Sequence, residues 1–114
     1  MIEKDLLRSV ASPIVLRLVS EKAMYGYEII KAVQDRTNGE FVWKEGTLYP
    51  LLHRLEGAGW IDSEWRDSDE GRGRKYYRIT RAGSTELAER LHEWQGFTAS
   101  VNLIFFAPPA KGRG

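Results

Sequence analysis

The chain has 114 residues, 42% hydrophobic and 29% charged, with a formal net charge of +1 and no cysteine. That is one globular domain with one main core rather than a disordered chain, and it excludes disulfides and thiolate metal sites, in keeping with a cytoplasmic setting. No apolar run reaches bilayer length and MIEKDLLRSV shows no signal peptide; near neutrality withholds the overall basic character of many nucleic-acid binders, so local charge must decide.

In chain order, residues 1–11 read as a helical arm through Leu6, Leu7 and Val10. Ser12-Pro13 then reads as an N-cap and first helical position, opening a helix that carries Ile14, Val15, Leu16, Leu18 and Val19. A second helix follows Gly26, with Tyr27, Ile30 and Val33 on one face, and Asn38-Gly39 stops it. Phe41-Val42-Trp43 suggests a short extended segment. A third helix is expected from about Thr47 to Ala58, with Pro50 in its first turn and Gly59 at its end. Residues 60–65 and 75–79 are strand-like and joined by DSDEGRG, a connection longer than a tight turn. Thr80 can cap a long last helix that Pro108-Pro109 ends, followed by a frayed AKGRG.

The third helix has two unlike faces. Leu48, Leu51, Leu52 and Leu55 fall on one stripe; Thr47, Pro50, His53, Arg54 and Gly57 fall on the other, with Tyr49 at the edge. Along the last helix Leu87, Leu91, Trp94, Thr98, Val101 and Phe105 recur at spacings of four and three, a heptad-like seam. Charge is segregated: residues 62–70 hold five acids against Arg66, whereas residues 72–81 hold Arg72, Arg74, Lys75, Arg78 and Arg81 with no acid. Trp43 and Trp60 read as core, and of Tyr76 and Tyr77 one should be core and the other partly exposed.

Helix, helix, helix, hairpin and long helix is a mostly α chain with a small β-hairpin, the winged helix arrangement. In this variant of the helix-turn-helix the third helix faces DNA and the hairpin tip lies on the backbone. Residues 1–80 would form the winged-helix unit with its arm, residues 81–107 a dimerisation helix and residues 108–114 a flexible tail. No histidine-carboxylate spacing forms a metal motif and no serine sits in a G-x-S-x-G elbow, so neither a metal nor a catalytic residue is assigned, no cofactor is expected, and an enzyme is disfavoured.

EGTLYPLLHRLEGAGWI, with YGYEIIKAV before it and GRGRKYYRITRAG after it, resembles the PadR family of bacterial transcriptional repressors across residues 13 to about 106. The single C-terminal helix resembles that of the shorter subfamily. The resemblance implies a homodimer, closed through Leu87, Leu91, Val101 and Phe105, that represses by binding a palindromic operator in double-stranded DNA. With it, the candidate DNA-contacting residues are Tyr25, Lys44, Thr47, Tyr49, Pro50, His53, Arg54, Arg72, Arg74 and Lys75. Multidrug-binding members stack planar aromatic molecules between tryptophans of their paired last helices. Counted from Thr80, Trp94 matches such a tryptophan and Trp65 a second one, with Leu91 and Thr98 beside the site. Dimer-core packing and ligand stacking are both open to Trp94. The alternative to a DNA-binding repressor is a winged-helix module that binds proteins instead of DNA.

Overall fold

The computed structural model describes residues 4–67 and 73–109. The first helix, α1 (Lys4–Glu21), runs unbroken through Pro13, so the expected cap at Ser12 and the separate arm are corrected to one continuous helix. Pro13 forfeits the N–H that would reach Ser9, an interior cost of about 3 kcal/mol. Burial outweighs it: Val15, Leu16, Leu18 and Val19 are all buried, each worth roughly 1.5–3 kcal/mol.

Helix α2 (Gly26–Arg36) buries Ile29 and Val33 on the same core. It stops where expected, at Asn38 (φ 53°) and Gly39 (φ 82°), left-handed positions that asparagine and glycine tolerate best. Thr37 closes the turn, its hydroxyl donating to the Val33 carbonyl (2.7 Å) and accepting from the Phe41 N–H (3.0 Å). Phe41-Val42-Trp43 forms no strand; Trp43 is buried and Phe41 partly so. At the far end, Arg36 donates to Glu21 (2.7 Å), which also lies 3.4 Å from Arg17, fastening α1 to α2. The hydrogen bond from Arg36, then the charges of Arg36 and Arg17, hold the Glu21 carboxyl below its usual range. Its contribution to stability is therefore present above the ordinary carboxylate pKa and lost as pH falls through the lowered value.

Helix α3 (Glu45–Gly57) begins two residues earlier than expected. Pro50 consequently sits in its second turn rather than its first. Leu48, Leu51, Leu52 and Leu55 are all buried, and Gly59 (φ 80°) turns the chain out of the helix. Strands β2 (Ile61–Arg66) and β3 (Arg74–Ile79) pair antiparallel in the expected hairpin. A further strand, β1 (Met24–Tyr25), pairs with β3 and makes a three-stranded sheet in the order β1-β3-β2. Two residues carry no periodicity, which is why that strand was not legible; Met24 opposite Tyr77 is buried with it in the core.

The last helix, α4 (Arg81–Phe105), leaves the sheet through a tightly bonded corner. The Gly83 N–H donates to the Thr80 hydroxyl (3.0 Å), which itself donates to the Gly59 carbonyl (2.6 Å), while the Thr80 N–H donates to the Trp60 carbonyl (3.0 Å). A Cβ on Gly83 would collide with the Trp60 carbonyl oxygen and lie 2.8 Å from a side-chain carbon of Ile79. Only Gly83 and Leu87 of α4 are buried. The rest projects: the radius of gyration is 17.8 Å, against about 13 Å for a compact chain of this length.

Gly83→Ala tests the corner. The blocking atoms are backbone, so relief requires moving the helix, and the variant is expected to lose at least about 1–3 kcal/mol in urea denaturation. Unchanged or raised stability would show that α4 does not need this close approach.

Candidate nucleic-acid interface

With its leucine stripe inward, α3 turns Thr47, Pro50, His53 and Arg54 to solvent, with Lys44 exposed at its N-cap position. Tyr49 is 45% exposed, its phenol end lying against Gly26 at the start of α2. Of the expected DNA-contacting residues, six thus share one exposed helix face or its entrance. That face offers hydroxyl, imidazole and guanidinium groups, the types that bond base edges and phosphates.

The hairpin places the other candidates differently. Parts of its acidic and basic segments form the two strands of one ladder, and charge is paired both across it and along it. Arg78 donates to Asp62 (2.7 Å), its register partner, and Arg66 lies 2.6 Å from Glu64. The hydrogen bond to Asp62 raises the Arg78 pKa further, so that charge is permanent. Lys75 reaches back to Glu56 of α3 (3.5 Å), whose carboxylate also accepts from the Ser63 hydroxyl, and sits 5.5 Å above the Tyr77 ring. Lys75, one of the candidate DNA-contacting residues, thus braces the hairpin on α3. Tyr77 is buried, which pushes its phenol pKa up, and Tyr76 is partly exposed.

Arg74 is positioned by aromatic rings. Its guanidinium lies 4.5 Å over Tyr25, and that of Arg66, its register partner, lies 4.6 Å over Tyr76. Tyr25 and Tyr76 meet edge to face at 5.4 Å. Like charges directly opposite in a ladder repel; here cation–π contacts hold both in place. Arg66 was not among the expected cations because it stands alone in an acidic run; only the strand register brings it beside Arg74. Tyr25 joins this cluster rather than the α3 face. Arg72 lies outside the described residues.

The expected dimer seam divides in two. Leu87 is buried in the protomer's own core, with 7% of its surface exposed, and so presents no free face. Beyond it α4 carries Leu91, Trp94, Phe97, Leu103, Ile104 and Phe105, all exposed like Phe106 just after the helix, with Val101 partly so. Leu91, Trp94 and Phe97 also wall a groove of about 740 Å³ against Leu6, Val10 and Ile14 of α1 and Phe41. Trp94 and Phe97 are in ring contact at 6.3 Å. Trp65 and Thr98, the other expected ligand residues, are not among the described residues lining that groove: Trp65 is 71% exposed on β2, and the Thr98 hydroxyl bonds the Trp94 carbonyl (2.9 Å). Among the described residues no cluster of histidine, aspartate and glutamate could hold a metal, and no helix is long and apolar enough to cross a membrane.

A three-helix unit with a β-hairpin and an outward polar third helix defines a winged-helix protein. The chain belongs to the PadR-like family of transcriptional regulators, whose family model matches residues 15–89. This is a family of regulators rather than enzymes. A solved transcriptional regulator from Clostridium thermocellum is 34% identical, covering 92% of this chain and 100% of its own with a TM-score of 0.81. A PadR-like transcriptional regulator from Bacillus cereus is 28% identical, covering 92% of this chain and 100% of its own, also with a TM-score of 0.81. An uncharacterized protein of Lysinibacillus sphaericus is 44% identical over 91% of this chain and 95% of its own.

Proposed function

We propose that this regulator is a cytoplasmic homodimeric repressor that reads a palindromic operator in double-stranded DNA. The observation that carries this is the rotation of α3: four leucines are buried beneath it while Thr47, His53 and Arg54 face solvent. Arg66 and Arg74 add two guanidinium groups at the loop end of the hairpin, suited to phosphates on either side of a groove. A second copy of the chain would cover the apolar length of α4 from Leu91 to Phe105, too large an exposed apolar stripe for a monomer. Pairing these helices holds two α3 helices about 34 Å apart, matching successive major grooves.

Fluorescence anisotropy on duplexes from the protein's own gene neighbourhood, with Val101→Asp as control, tests this reading. The wild type is expected to bind one duplex specifically, with affinity that falls as salt rises. Val101→Asp places an unpaired charge in the shared seam and should give a folded monomer that has lost specific binding. Weak, equal binding to every duplex would favour the protein-interaction module. A wild type that sediments as a monomer at micromolar concentration would remove the seam.

Repression would respond to a planar aromatic effector at Trp94, supported by the exposed indole beside an apolar groove. Such a molecule shifts the spacing of the two α3 helices only as far as its affinities for the two arrangements differ. A flat aromatic dye is expected to quench tryptophan fluorescence, and Trp94→Ala to abolish most of that quenching. Undiminished quenching in the variant would move the site elsewhere, and no quenching by any planar dye would leave Trp94 a packing residue.

A further inference from the structure

Gly26 is the first residue of α2 and is buried. Its φ lies outside the left-handed region, so the backbone does not call for glycine, and helix propensity favours alanine. Space is the remaining reason. A Cβ built on Gly26 meets three atoms of Tyr49: the hydroxyl oxygen, Cζ at 2.8 Å and Cε1 at 3.2 Å. Gly46, Gly57 and Gly96, also helical, have nothing within 4 Å of the same construction. The intruding atoms are the far end of one side chain, 45% exposed and rooted on α3. They can swing outward without disturbing the core.

We infer that Gly26 is a positioning residue for DNA reading: its bare Cα is the seat that fixes where α3 presents the Tyr49 phenol. The inference rests on the DNA-binding role proposed above. The seat is also tied to the hairpin, because the neighbouring Tyr25 pairs β1 with β3 and carries Arg74 over its ring at 4.5 Å. The contact between Gly26 and Tyr49 therefore registers the helix face against the wing. A methyl group at position 26 displaces the phenol, loosening that register while the fold persists.

The test is a double-mutant cycle of Gly26→Ala and Tyr49→Ala, read as affinity for the specific duplex, affinity for a scrambled duplex, and melting temperature. In the wild-type background, Gly26→Ala is expected to weaken specific binding about tenfold, a coupling typical of contacting residues, and to leave scrambled binding unchanged. In the Tyr49→Ala background the same change should cost no affinity and should raise the melting temperature, because only helix propensity remains. Equal loss in both backgrounds, or full specific affinity in Gly26→Ala, would overturn the inference. Should Gly26→Ala fail to fold alone, refolding of the double variant supports the contact and continued unfolding contradicts it. An arm without DNA separates this from the function itself: in NMR spectra the Gly26 Hα pair should shift on Tyr49→Ala as the ring is removed. An unmoved Hα pair would refute the seat, whereas a clear shift in a wild type that discriminates no duplex would refute only the DNA reading.

Discussion

Burial of four leucines fixes the rotation of α3, and the candidate nucleic-acid interface depends on that rotation. Leu48, Leu51, Leu52 and Leu55 are each no more than 3% exposed, packed with α1 and with Ile29 and Val33 of α2. At roughly 1.5–3 kcal/mol per side chain, together they far exceed the cost of the proline in the second turn. The helix is not free to roll. Thr47, His53 and Arg54 are thereby presented to solvent by a core decision rather than by any interaction of their own.

The hairpin obeys a different constraint, charge balance across a ladder. Asp62 on β2 takes up Arg78 across the ladder, Glu64 takes up Arg66 along the same strand, and Glu56 on α3 takes up Lys75. These pairs are exposed or half-exposed, where ion pairs contribute little stability, so their effect is geometric. The Lys75–Glu56 pair holds the wing against α3, and the loop end of the ladder is organised around Tyr25, Tyr76 and two arginines. Helix α4 is governed by the corner at Thr80 and Gly83, which aims it away from the body and leaves its apolar residues uncovered beyond Leu87.

Much of this was legible in the sequence because it rests on periodicity and local chemistry. The leucine stripe, the Asn38-Gly39 stop, the Thr80 cap and the hairpin all depend on residues close together in the chain. The misses share a physical origin in tertiary contact. Pro13 looked like a helix start because its local cost is plain, whereas the burial that overrides it involves the whole core. Leu87 fitted the heptad seam, yet the protomer's own core claims it. Lys75 is a candidate DNA contact in the sequence, whereas in the fold Glu56, nineteen positions away, is its partner. The roles of Gly26 and Gly83 were invisible because glycine announces no contact, and the side chain or carbonyl it makes room for lies elsewhere in the sequence.

A solvent face of α3 that enters the major groove would cover guanine N7 atoms, which line that groove. Dimethyl sulfate protection on the bound duplex measures their accessibility directly. Two clusters of protected guanines, centred about 34 Å apart along the helix axis, are the expected result for paired α3 helices. Bound protein that leaves every guanine N7 reactive would contradict the account, since it would place α3 outside the major groove.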